Sequence, residues 1–145
     1  MAGKGAATGL FVQTQTRGLE MITFLFAPNG AAQPDKPTIN TLNGGAVRGL
    51  DMSQTNPVDR QGVGDFKVHL GRKYRKLVGW DINGTDAAGN VEGDIDWANT
   101  DPTNSTDPVV RFKLKVRSTG AANDPAAGAN TLVSVSLTFL TLDRG

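Results

Sequence analysis

The sequence predicts an all-β chain: an antiparallel β-sandwich of jelly-roll type, with long loops and an extended amino-terminal arm. Three observations carry that expectation. From Val109 to Ser118 the side chains alternate without a break, with Val110, Phe112, Leu114 and Val116 against Arg111, Lys113, Lys115 and Arg117, a period that only a half-buried strand produces. Gly is abundant at 18 residues, and Asn, Asp, Thr and Pro cluster between the apolar runs, the turn-rich punctuation of a β chain. No stretch carries a long helical period.

Composition sets the bounds. The chain has 145 residues, the size of one domain. Val, Ile, Leu and Phe make up 34 of them, just above the level at which disorder becomes the default, so a folded domain over 18–145 with an arm over 1–17 is expected. The net charge of +1 gives no overall field that would draw the molecule onto nucleic acid or an anionic membrane. There is no cysteine, which removes disulfides, thiol nucleophiles and Cys-based metal sites together. Met1 to Gly9 lacks the apolar core of a secretory signal, and no apolar run approaches the roughly 20 residues of a bilayer span. A soluble protein without cofactor is expected.

Residues 1–17 are small and polar apart from Leu10, Phe11 and Val12, which suit either a frayed terminus or an arm anchored on a neighbouring subunit. Gly18 to Phe26 is the first strand, apolar on both faces, which places it deep in the sandwich or at a subunit contact. Ala27-Pro28-Asn29-Gly30 ends it. Ala46 to Met52 reads as a short strand and Ser53 to Gly62 as loop. Val63 to Leu70 alternates again, with Phe66, Val68 and Leu70 inward and Asp65, Lys67 and His69 to solvent. Gly71 to Lys76, with Arg72, Lys73, Arg75 and Lys76 around Tyr74, is the most basic run and has room for one helical turn. Leu77 to Asn83 follows as a strand. The acidic stretch from Gly84 to Pro108 is expected to be two loops flanking a weak strand over Val91 to Trp97. Thr131 to Leu142 closes the chain as a strand, paired antiparallel with the cationic one before it.

The residues offer little catalytic chemistry. His69 is the one histidine and has no cysteine or second histidine to complete a relay. Asp94 and Asp96 would share a strand face at about the carboxylate spacing of glycosidases, but nothing around them suggests the enclosure that raises one pKa. Asp81 to Glu92 has the length of a calcium loop, with Asp86 where such a loop needs Gly. The two basic stretches suit a solvated or subunit-contacting face, an acidic protein surface or, less well, phosphates. Trp80 and Trp97 suit core, interface or the stacking of a sugar ring.

Three segments resemble small tailed-phage virion proteins of the capsid decoration, or cement, type: Phe24-Leu25-Phe26-Ala27-Pro28-Asn29-Gly30, Gly62 to Leu70 running into Tyr74 and Leu77, and Ala129 to Leu137. The resemblance spans about residues 20–142 and departs in the acidic stretch and the longer arm. It implies a β-rich protein with no catalytic residues, made in the host cytoplasm and seated as a homotrimer on the capsid surface. Its partner would be the major capsid protein. On that view Leu10, Phe11, Val12, Arg72, Lys73, Arg75 and Lys76 contact the shell or neighbouring copies. The competing expectation is a sugar- or receptor-binding module of a virion or tail, with Trp80 and Trp97 as the stacking pair.

Overall fold

A computed structural model describes residues 18–34, 47–86, 89–126 and 131–142. The arm over 1–17, with Leu10, Phe11 and Val12, lies outside the described residues. The described residues form seven antiparallel strands: β1 (Leu19–Phe26), β2 (Val58–Gly62), β3 (Asp65–His69), β4 (Lys76–Asp86), β5 (Gly89–Ile95), β6 (Val109–Val116) and β7 (Leu132–Leu140). They make one sheet in the order β1-β7-β4-β5-β6-β3-β2, so the all-β antiparallel expectation holds.

The sheet curls back on itself into a half-barrel, and the core lies in the fold. Phe26 of β1 comes within 5.3 Å of Phe66 on β3 and 6.0 Å of Phe112 on β6, ring centre to ring centre, although three strands separate β1 from β6 in the ladder. Only a rolled sheet allows that contact. Period-two alternation supplies the lining: Ile22, Phe24 and Phe26 from β1, Val110, Phe112 and Leu114 from β6, and Val133, Val135, Leu137 and Phe139 from β7 are all buried. Each such side chain contributes about 2 kcal/mol by leaving water.

Several expectations are corrected by this topology. β6 and β7 are not partners: β6 lies between β5 and β3, and β7 between β1 and β4. β1 is not central but forms one edge of the sheet, paired with β7 alone. Strand β2, read as loop, exists because Val63-Gly64 turns it onto β3, with Gly64 at φ +62°. Of the expected strand at 46–52, residues 47–52 are instead a turn segment that meets the sheet by one bridge, Leu50 to Leu70, while Val47 and Leu50 enter the core. Residues 71–75 form no helical turn but bends leading into β4. The described residues of the acidic stretch form the β4–β5 hairpin, a 3-10 turn at Trp97–Asn99, and loop.

The hairpin is forked. β4 and β5 are bonded only where Asn83–Asp86 faces Gly89–Glu92. Beyond that β4 stays with β7 and the rest of β5 with β6. Ile82 fills the divergence, so close over Gly93 that a Cβ there would lie 2.5 Å from its Cγ2.

Candidate functional site

The outer face of the sheet is divided in two. On β3, β5 and β6 it is a lattice of alternating charge. The register sets Asp65 opposite Lys113 and Lys113 opposite Asp94, and the side chains then pair along diagonals, as cross-strand neighbours can. Arg111 donates from Nε to Asp65 at 2.7 Å and from Nη2 at 2.9 Å. Lys113 lies 3.7 Å from Asp65 and 3.9 Å from Asp96. Lys115 meets Asp94 at 2.7 Å, and Arg117 donates to Asn83 at 2.8 Å. The hydrogen bonds from Arg111 hold the Asp65 carboxyl below its usual range. The four cations, expected to face water, a neighbouring subunit or an acidic partner, thus each have a neighbour within the molecule. Asp94 is the counter-ion of Lys115 and Asp96 lies beside Lys113, and the reading of these two as a catalytic pair has no further support. On β1 and β7 the outer face is uncharged, made of Leu19, Met21, Thr23 and Leu25 beside Leu132, Ser134, Ser136, Thr138 and Leu140.

The basic run behaves differently. Arg72 donates to Glu20 at 2.9 Å and lies 5.0 Å from the centre of the Tyr74 ring. Tyr74, in the middle of that run, is fully buried and stacked on Phe139 at 4.3 Å. Its hydroxyl donates to Glu20, and burial together with that carboxylate pushes the phenol up to about 12. Lys73, Arg75 and Lys76 are exposed and have no carboxylate partner among the described residues. Arg48 joins this corner: with Glu20, Gly49, Gly71, Arg72 and Tyr74 it lines an open cleft of about 240 Å³. Arg48 went unremarked in the sequence because only the fold brings the 47–52 turn beside residues 71–74.

Trp80 and Trp97 come together at the mouth of the fork. Their rings meet edge to face, with centres 5.4 Å apart and planes at 79°, and they remain 41% and 52% exposed. Val78, displaced where the β4 register shifts between Leu77 and Gly79, adds a third exposed apolar side chain. Two tryptophans 17 residues apart in the chain could be joined only by knowing that β4 and β5 form a hairpin.

His69 is the clearest correction. Expected on the solvated face, it is only 8% exposed. Its Nδ1 bonds Asp107 Oδ1 at 2.8 Å, and its Nε2 lies 3.9 Å from Asp59. The loops on either side cover it, since its backbone N–H donates to Pro57, its carbonyl accepts from Asp51, and Leu70 donates to Pro108. Asp81 and Glu92, the ends of the apparent calcium loop, stand on the two strands of the hairpin, and no cluster of metal-ligating side chains occurs among the described residues.

No family model, no curated protein and no solved structure matches the chain.

Proposed function

We propose that the chain is a virion structural protein of the capsid decoration type, which binds the major capsid protein of a phage shell and stabilises it. The trimeric arrangement on the shell and the virion location belong to the same proposal. The observation that supports it most is the partition of charge. The lattice on β3, β5 and β6 is paired largely within the molecule, while at the Arg72 corner, whose one carboxylate Glu20 is taken by Arg72 and Tyr74, Arg48, Lys73, Arg75 and Lys76 make no ion pair among the described residues. A corner of that kind steers a protein onto an acidic surface and fixes its orientation there. The curled seven-stranded sheet behind it offers a single scaffold for such contacts. To test this, purified chain is added to expanded shells that lack it, and sedimented. The chain should appear in the shell fraction at a fixed ratio to the capsid protein; its staying wholly in the supernatant would end the proposal. A second arm uses chain lacking residues 1–17, for which reduced occupancy is expected if Leu10, Phe11 and Val12 make contacts.

A second reading has its own observation. The exposed Trp80–Trp97 pair, with Asp94 or Asp96 close in sequence to Trp97, has the character of a sugar-stacking platform. In that case the chain would be the sugar- or receptor-binding module of a virion or tail. A glycan array probed with the chain and with Trp97→Ala tests it: saccharide binding that Trp97→Ala abolishes would favour this reading, and an empty array would remove it.

A further inference from the structure

The two edges of the sheet are treated differently. At β2 the edge is short, charged and irregular, its register shifting between Arg60 and Gly62. It is also covered: the Gln33 side chain accepts from the Arg60 N–H at 2.8 Å and donates to the Arg60 carbonyl at 3.1 Å. Those are the devices by which β proteins keep an edge from pairing with another chain.

At β1 the described residues show neither the irregularity nor the cover. It runs eight residues without a bulge, with no Pro or Lys. Thr141 N–H donates to the Gly18 carbonyl at 2.8 Å. Antiparallel alternation then gives β7 the backbone groups of Glu20, Ile22, Phe24 and Phe26, and turns those of Leu19, Met21, Thr23 and Leu25 to the open side. No hydrogen bond reaches that second set from the described residues. The one charged side chain of β1, Glu20, is engaged by Tyr74 and Arg72, so the edge carries no free charge to repel a neighbour. Its outer side chains, Leu19, Met21 and Leu25, are half-buried, and with Thr23 they continue into the uncharged outer face of β7.

We infer that β1 pairs antiparallel with β1 of a second copy of this chain, joining two sheets across a two-fold axis at Ile22. The strand is self-complementary in that register. Met21 falls opposite Thr23 and Leu19 opposite Leu25, so each outward N–H and carbonyl of one copy meets its counterpart in the other. No charged side chain opposes another. A head-to-tail alternative, β1 onto a neighbour's β2, is blocked by Gln33, which leaves the isologous contact as the one that closes. The inference does not rest on the decoration proposal, and it uses a different surface from the basic corner, so two-fold pairing and three-fold grouping on a shell are compatible.

The test is sedimentation equilibrium of the full chain across a dilution series, with amide hydrogen exchange on the same samples. A reversible dimer of twice 15.3 kDa is expected, with the amides of Leu19, Met21, Thr23 and Leu25 protected in the dimer and exposed on dilution. Thr23→Pro removes an outward donor while leaving the bonds to β7, which an edge strand tolerates; Met21→Lys places a charge beside the axis. Both should be monomeric with unchanged far-ultraviolet circular dichroism, and Thr23→Val should still dimerise. A monomer at every concentration would overturn the inference, as would association that survives Met21→Lys. So would edge protection that is independent of concentration and lost on removing residues 1–17, because the chain's own amino terminus would then occupy the edge.

Discussion

Tyr74 shows how one side chain can tie the basic run to the core. Its ring is packed on Phe139 and its hydroxyl ends on Glu20 beneath Arg72. Because the phenol is held neutral, its folded-state pKa of about 12 lies above the ordinary value of 10. The sign of the linkage follows: the stability it contributes is complete below pH 10 and is lost as pH rises from there towards 12. As Tyr74 is the single tyrosine, a spectrophotometric titration reads it directly. The absorbance should rise near pH 12 in the folded protein, and a midpoint at the ordinary value would contradict the burial. Asp65 runs the other way. Arg111 holds its carboxyl below 3.8, so its contribution is complete above that pH and disappears as pH falls below it. Asp65→Asn should lower stability at pH 7 and flatten the acid limb of the stability profile, as measured by urea unfolding at several pH values. A double-mutant cycle between Asp65 and Arg111 should give a coupling of about 1 kcal/mol. His69 marks where residue-level reading stops. Alternation correctly set it opposite Val68, but the loops at Pro57 and Pro108 that bury it are long-range structure that no local pattern reports.

At the scale of elements, the strands with their own period were legible and those made by their neighbours were not. β6 and β7 declare themselves because every second side chain is apolar. β2, Val-Asp-Arg-Gln-Gly, has no such period and is a strand only because β3 folds back on it. The turn that does this is sterically exacting. A Cβ on Gly64 would lie 2.6 Å from the Leu114 carbonyl oxygen and 2.9 Å from that of Asn123, at a φ of +62°. Gly64→Ala should therefore cost about 2 kcal/mol or more, seen as a lower denaturation midpoint; an unchanged midpoint would mean that the β2–β3 turn is not built this way. Pairing was the least legible property. The chain order suggests β6 against β7, yet the sheet inserts β4 and β5 between them, and the carboxylates that neutralise β6 come from β3 and β5. Asp65, Asp94 and Asp96 were visible as alternating acids in the sequence, but their role depends on register. The same holds for Trp80 and Trp97, which are neighbours only across the fork of a hairpin.

For the whole molecule, what matters is where charge and unpaired backbone remain once the internal bonds have formed. The outer face divides into a neutralised lattice and an uncharged half, with the basic corner of Arg48, Lys73, Arg75 and Lys76 at the start of β4. If that corner makes the contact, attachment weakens as salt screens it, with a Debye length of about 8 Å at physiological ionic strength. An apolar contact would be insensitive or would strengthen. Occupancy on expanded shells, measured over a salt series for the native chain and for the triple variant Lys73→Gln, Arg75→Gln, Lys76→Gln, is the most direct measurement of the proposed function. Native occupancy should fall as salt rises, and the variant should bind weakly at every salt concentration while unfolding at the native midpoint. Equal occupancy for the two proteins, flat with salt, would contradict it.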